Sequence, residues 1–443
     1  MHHDHDADDD GGGKRSGVKT ATIAAASSKS DLKALRVNSK WAKLPPFDRT
    51  GWKRLPFGAF AESVNERVEP SDAADEIYVG LDDLDSQNLH IRRWGKGSDV
   101  IGTKLRFLKG DIIFGRRRAY QRKLAVAEFE GICSAHAMVV RAKPDLVLPE
   151  FLPFLMMSDR FMTRAVEISV GSLSPTINWA TLKLEEFILP PLAQQQRIAE
   201  ILWTVDRTAV AWKATREQHA KSLFAFSSSA TIRGLRNEHT QHTPIGDLPL
   251  SWRCMRIEEV TQHSAYGPRF PSSSYTADGN TWQIRTTDFD RAGGINFSQI
   301  PSAQLGEDTI SLHRLKHGDF LLSRSGEYAG LTAVFSDPDN GRVYIPGAFL
   351  IRYRLNDALD AGYLLTLCNA SFGEKFVKPL ATGSAQPNIS GSAFSRLLLP
   401  LPPVDEQRAI VRKVSELQST GSRIVEHVMQ SQSLLAALLN TFN

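Results

Sequence analysis

The phrase LPPLAQQQRIAEIL at residues 189–202 returns as LPPVDEQRAIVRKV at residues 401–414, ungapped and displaced by 212 positions. Proline is accepted at the first turn of a helix and not deeper, so Pro190-Pro191 and Pro402-Pro403 mark two helix starts. Upstream, GSLSPTIN (171–178) aligns with GSAQPNIS (383–390) at the same displacement. KGDIIFGR (109–116) aligns with HGDFLLSR (317–324), and AMVVR (137–141) with AFLIR (348–352), displaced by 208 and 211. Each copy opens on a tryptophan and a basic residue, Trp52-Lys53 and Trp252-Arg253. Only small insertions separate the copies. One unit of domain size therefore occurs twice.

Inside a copy the local signals are mixed. Short apolar or β-branched runs at residues 111–114, 137–140, 319–322 and 348–353 are bounded by Gly, Pro, Asn and Asp, which predicts strands. Amphipathic segments follow at 150–166 and 363–377. A Gly-Ser-x-x-Pro loop and a last apolar run then lead to the double proline. Beyond it, positions spaced alternately by four and three trace a ladder: Ile198, Leu202, Val205, Ala209, Trp212, Arg216, His219, Leu223 and Phe226. The second copy gives Ile410, Val414, Leu417, Gly421, Ile424, Val428, Ser431, Leu435 and Leu438. Both ladders have heptad spacing, and polar or tiny residues interrupt both. Either two surface helices pack on their own domains, or they pair within the chain; identical units presenting identical seams favour the pair. The expected fold is mixed α/β (α+β), with two tandem homologous domains each followed by a long helix. The expected plan is a leader at 1–45, domains at 46–190 and 236–400, and helices at 191–235 and 401–443.

Composition narrows the function classes. The chain has 443 residues, of which 42% are hydrophobic, ample for packed cores. It lacks an apolar run of about 18 residues, so no membrane span is expected. Its first ten residues, MHHDHDADDD, are acidic where a signal peptide is basic and then apolar. Cys133, Cys254 and Cys368 lie far apart, which suggests neither disulfides nor a zinc site and fits a reducing cytoplasm. Residues 1–39 are rich in Asp, Gly, Ser, Lys and Ala without apolar periodicity, and read as a disordered leader. Its His2, His3 and His5, with Asp4 and Asp6, have the chemistry to hold a metal adventitiously; a solvated leader is the preferred reading.

Net charge is only +4, so any nucleic-acid surface must be a local patch. Residues 86–123 supply one, with eleven cationic side chains against Asp99 and Asp111. Arg92, Arg93, Lys104, Arg116, Arg117, Arg118, Arg122 and Lys123, with interleaved Tyr120 and Gln121, are the candidates for phosphate and base-edge contacts. The corresponding part of the second copy is less charged. Its candidates are Tyr266, Arg269, Arg285, Thr286, Thr287, Arg324, Ser325 and Tyr328. Frames that agree around middles that differ suggest two readers of different text.

Signatures of catalysis are sparse. No phosphate-binding Gly-x-x-x-x-Gly-Lys-Ser/Thr loop occurs. The acidic-x-Lys triplet Asp31-Leu32-Lys33 lies in the leader, and the twelve histidines show no metal-ligand spacing. Leu44-Pro45-Pro46-Phe47 has a leucine where an amine-methylating loop needs an amide or carboxylate. No catalytic or metal-binding residue is therefore assigned.

From Trp52 to the end, the chain resembles the specificity subunits of type I restriction-modification enzymes. The resemblance rests on the repeated Leu-Pro-Pro-x-x-x-Gln phrase, the Gly-Ser-x-x-Pro-x-Ile loop before it, and the flow from YGPRFPSSSYTADGN (266–280) to HGDFLLSRSGEYAG (317–330). It implies two target-recognition domains, each reading one half of a bipartite, asymmetric double-stranded DNA target. It further implies helices paired as an antiparallel coiled coil that spaces the domains and docks partners. Those partners would be methylation subunits, two of them by expectation, and restriction subunits, within a phage-defence system. Gln195, Arg197, Glu406, Gln407 and Arg408 are the docking candidates by this resemblance. S-adenosylmethionine, ATP and magnesium would sit on the partners, and this chain would be non-catalytic. The first copy departs in having Gln194 where the family usually has the glutamate seen here as Glu406. A stand-alone DNA methyltransferase or nuclease, and a coiled-coil adaptor without DNA preference, are the competing readings.

Overall fold

The computed structural model describes residues 45–290, 292–383 and 386–442. The leader, with its His/Asp cluster and the Asp31-Leu32-Lys33 triplet, lies outside the described residues. The chain forms two compact units, one running to Val205 and resuming from Ser433, the other from Asp206 to Gln432.

The first unit has strands β1 (Lys53–Pro56), β2 (Ala61–Val64), β3 (Arg67–Val68), β4 (Ile77–Val79), β5 (Gly95–Lys96) and β6 (Lys104–Phe107). They continue as β7 (Ile112–Phe114), β8 (Leu124–Val126), β9 (Gly131–Cys133), β10 (Met138–Ala142) and β11 (Glu186–Leu189). One sheet has the order β2-β10-β7-β8, a second β3-β6-β9-β4-β5, and β1 pairs with β11. The uninterrupted apolar run of β7 is explained by burial on both faces, since successive strand side chains point opposite ways. Ile112 and Phe114 enter one core with Leu124, Met138 and Val140. Ile113 enters another with Ala125 and Val139.

The amphipathic segment at 150–166 is two helices, α1 (Leu152–Met157) and α2 (Asp159–Glu167). Ser158 divides them, because its hydroxyl caps α2 by accepting the Phe161 N–H at 3.3 Å. After β11 comes α3 (Leu192–Arg233). Pro191 stands just before its first turn, and its carbonyl accepts the Gln195 N–H at 2.9 Å. Ile198 and Leu202 from this start, and Leu438 and Leu439 from the last residues of the chain, are buried in the first unit's core.

The second unit repeats the frame. Its strands are β12 (Thr240–Thr243), β13 (Gly246–Pro249), β14 (Arg253–Arg256), β15 (Thr261–Tyr266), β16 (Thr281–Ile284) and β17 (Ser302–Ala303). They continue as β18 (Phe320–Ser323), β19 (Thr332–Val334), β20 (Tyr344–Pro346), β21 (Leu350–Leu355) and β22 (Leu398–Leu401). The order β15-β21-β18-β19 reproduces β2-β10-β7-β8, and β14 pairs with β22 as β1 does with β11. Helix α4 (Ala361–Cys368) is capped by Asp360, and a separate π-helical turn at Gly373–Val377 completes the second amphipathic segment. Helix α5 (Val404–Leu439) closes the repeat.

Within the second unit α3 and α5 pair antiparallel. Trp212 stacks on His427 with ring centroids 4.6 Å apart. Seven residues further along α3, the His219 Nε2 lies 2.9 Å from the Leu417 carbonyl, earlier in α5. A Cβ at Gly421 would come within 3.1 Å of that imidazole. The polar and tiny ladder residues are thus complementary: Gly421 vacates the space that His219 fills. Gly234, at φ +73°, follows α3 and ends it in a conformation that glycine adopts freely.

Candidate nucleic-acid interface

Just past the ends of β7 and β18, at the same place in the frame, stand Arg116 and Arg324. In the first unit the Gly-Ser-Leu-Ser-Pro loop zips onto the segment that follows. Ile177 N–H donates to Arg116 O at 3.0 Å and Arg118 N–H to Pro175 O at 2.8 Å. In the second, Ile389 N–H donates to Arg324 O at 2.8 Å and Gly326 N–H to Pro387 O at 2.9 Å. Each unit therefore presents an arginine from a buried strand end, framed by the loop that gave the repeat its signature.

Arg118 and Arg122 both adopt left-handed backbone, at φ +57° and +51°, around the short turn that carries exposed Tyr120. Such geometry costs about 1–2 kcal/mol per non-glycine residue and needs a surrounding that fixes it. Arg122 supplies it: its guanidinium pairs with Asp159 and donates to Met157 O at 2.7 Å. Lys123 is equally committed, to Leu81 O at 2.7 Å.

The basic cluster is in fact partly neutralised. Arg93 binds Asp85 at 2.8 Å, Arg92 lies 3.7 Å from Glu128, and Arg106 pairs with Glu76 and Glu66. Lys104 is buried and donates to the carbonyls of Ile101 and Gly102. Around the turn the fold leaves outward Arg117, whose side chain has no partner among the described residues, with Arg118, Tyr120 and half-buried Arg116; Lys96 and Lys109 of the same segment are exposed as well. Arg118 Nε donates to Ser174 Oγ at 3.2 Å, and Arg116 donates to Ala135 O at 3.2 Å. Gln121 is half-buried beside them.

Topology adds residues that no local pattern marks. A concavity of about 470 Å³ is lined by Asn65, Arg67, Thr103, Lys104, Arg116 and Trp179. His136, just before β10, is held below the ordinary imidazole range by burial and then by Arg117, Arg116 and Lys104. Only the sheet order brings Asn65, Arg67, Thr103, His136 and Trp179 beside Lys104 and Arg116, which is why no local pattern marks those five.

In the second unit Arg324 lies over the Tyr266 ring at 4.8 Å and donates from Nε to Asn388 Oδ1 at 3.2 Å. Tyr266 OH accepts the Gly391 N–H at 3.0 Å. Arg285 is bound to Asp288 at 2.7 Å, and that hydrogen bond raises its pKa. It braces the turn holding Thr286 and is not freely available. Arg269, Thr287 and Tyr328 are exposed, while Thr286 and Ser325 are half-buried.

The docking candidates separate sharply. Gln195 is fully buried: its carbonyl accepts Leu148 N–H at 2.8 Å, and its amide donates to Leu146 O and Pro190 O, each at 2.9 Å. Gln407 repeats this with Asp360 N, Ala358 O and Pro402 O, each at 2.8 Å. Glu406 is 2% exposed and accepts the N–H groups of Leu235 at 3.0 Å and Trp252 at 3.2 Å. These three side chains hold the frame together and offer no surface. Arg197 and Arg408 are exposed, and Arg408 lines a concavity of about 600 Å³ with Lys316 and Arg354. Phe47, from the Pro-Pro-aromatic phrase, is buried in the first core. Among the described residues no group of three His, Cys, Asp or Glu is placed to hold a metal, and no helix is long and apolar enough to cross a membrane.

A mixed α/β unit written twice, each copy with an arginine at one strand end and a long paired helix behind it, defines a duplicated recognition scaffold. The chain belongs to the family described as the type I restriction modification DNA specificity domain, which matches residues 94–221 and 249–428. It is 28% identical over 312 residues to the EcoKI specificity subunit of Escherichia coli K12, covering 67% of this chain and 64% of that protein. It is 25% identical over 325 residues to the StySPI specificity subunit of Salmonella potsdam, covering 70% and 66%. The match thus spans just under two thirds of these relatives. A chain solved in work on complex assembly and conformational transition of the type I R-M system shares the fold, with a TM-score of 0.56, 23% identity, and coverage of 90% of this chain and 99% of that one. The S subunit of the M. genitalium type I system does so with a TM-score of 0.50, 13% identity, and coverage of 88% and 96%. Specificity subunits are the non-catalytic members of such systems.

Proposed function

We propose that this chain reads a bipartite, asymmetric double-stranded DNA target, one half-site per unit, for a type I restriction-modification complex. The observation that carries the reading is Arg116 and Arg324, held at one place in a repeated frame and surrounded by unlike side chains. One frame with two vocabularies suits two half-sites of different sequence. In the first unit Arg116, Arg117, Arg118, Tyr120 and Gln121 reach DNA, with Arg67 and His136 behind them. In the second, Arg269, Thr287, Arg324, Ser325 and Tyr328 do. Arg92, Arg93, Lys104, Arg122, Lys123 and Arg285 shape these surfaces through the partners they already hold.

The methylation subunits, two by this reading, and the restriction subunits dock through the paired helices. Arg197 and Arg408 take the docking role that Gln195, Glu406 and Gln407 are too buried to fill. S-adenosylmethionine, ATP and magnesium belong to those partners, and the complex works in the cytoplasm. Sequencing modified bases in a host carrying the complete system tests the proposal. The result expected is a split motif, only one half of which changes when residues 52–190 are replaced by those of a relative. A contiguous motif, or a hybrid that alters both halves, sinks the reading. Methylation by this chain alone would favour a stand-alone enzyme. Binding without sequence preference would favour an adaptor.

A further inference from the structure

Leu173, in the Gly-Ser-Leu-Ser-Pro loop, is 92% exposed, and Val170 at the loop's entry is 70% exposed. Scattered apolar side chains in water need no explanation. This pair, however, lies on a fastened loop. Gly171 turns the chain at φ +117°, and Val170 and Thr176 exchange backbone hydrogen bonds of 3.0 and 2.9 Å. The loop is bonded on through Pro175 and Ile177 to Arg118 and Arg116, and Ser174 accepts from the Arg118 guanidinium. Residues 170–178 carry no charge of their own. An apolar tip tied to a row of arginines matches one kind of surface closely: anionic at the rim, apolar between stacked rings. Double-stranded DNA has that character, and apolar wedges between base steps are an established way of bending it.

We infer that Leu173 enters DNA as a wedge, partly unstacking one base step of the half-site read by the first unit, while Arg117 and Arg118 hold the flanking phosphates. The inference rests on the DNA-reading proposal and adds a distortion to it. A step that unstacks easily, such as pyrimidine–purine, is then favoured at a position where no base edge need be touched. The aligned residue of the second copy is Ala385, whose methyl group is too short to wedge. Unstacking is therefore confined to the first half-site.

The test uses the full chain with its partner subunits and duplexes carrying the mapped target. 2-Aminopurine is substituted one position at a time, away from the methylated base. Binding should raise fluorescence at one step of the first half-site and at none of the second. Leu173→Ala should abolish that rise and weaken target affinity on the order of tenfold, the loss expected for one buried leucine. Affinity for a scrambled duplex, thermal midpoint and co-purification with the partners should stay unchanged, and Leu173→Phe should restore the signal. A rise that persists in Leu173→Ala, or loss of partner association instead, overturns the wedge and leaves DNA reading intact. Failure of the unsubstituted complex to distinguish target from scrambled duplex overturns both.

Discussion

Trp52 and Trp252 each donate an indole N–H to the residue before the buried glutamine, but that residue is Gln194 in one copy and Glu406 in the other. The difference follows from what else is in reach. Glu406 faces a second donor, Leu235 N–H, so two acceptor oxygens suit it. Gln194 faces two acceptors, Pro46 O at 2.9 Å and Asp48 O at 2.6 Å, so an amide is required. Gln194→Glu should set a carboxylate against two carbonyls, and Glu406→Gln should leave one N–H unmet. Each should cost about 1–3 kcal/mol in denaturant unfolding; unchanged midpoints would refute the polarity argument. His136 offers a pH test. Its neutral form is favoured in the free protein by burial and by Arg117, Arg116 and Lys104. A bound phosphate opposes those charges and draws a proton on, so affinity for the target should rise as pH falls from about 7.5 toward 6. His136→Gln should flatten that dependence in a binding titration. An identical slope in the variant would place His136 away from the DNA.

At the level of elements, the helix seam looks defective as a string of letters and is complementary as a pair. Gly421→Leu should force apolar volume into the His219 imidazole and lower stability by about 1–3 kcal/mol, despite leucine's better helix propensity. Adding His219→Ala should recover much of the loss. A double-mutant cycle in thermal unfolding with no coupling would show that the two residues do not share the space. The repeat, the strand runs and the double-proline helix starts were legible because each is encoded in consecutive residues. The basic segment was legible only as charge. Its neutralising partners, Glu66, Glu76, Asp85, Glu128 and Asp159, all come from outside the segment, and apart from adjacent Asp85 they meet it through the fold. Burial of Gln195 and Gln407 was hidden likewise, since a polar residue beside a helix start reads as surface until its backbone partners are known.

For the whole molecule, the spacer reading makes helix length a ruler for the unread gap between half-sites. One heptad must enter both helices at facing levels, between Trp212 and Arg216 and between Ile424 and His427, so that Trp212–His427 and His219–Gly421 both survive. It adds about 10 Å of helix, roughly three base pairs of DNA. Modified-base sequencing should then report unchanged half-sites and a gap longer by one to three base pairs. Methylation that keeps the original gap would exclude the ruler. The buried amides of Gln195 and Gln407 bear on how such a protein changes over generations. All six of their partner atoms belong to the main chain, so these particular bonds between unit and helix do not depend on which side chains the neighbouring domain carries. A genetic crossover inside either Leu-Pro-Pro phrase can thus import a foreign domain that meets the same hydrogen bonds on arrival. On the DNA-reading proposal, such an exchange would bring a new half-site with the imported domain.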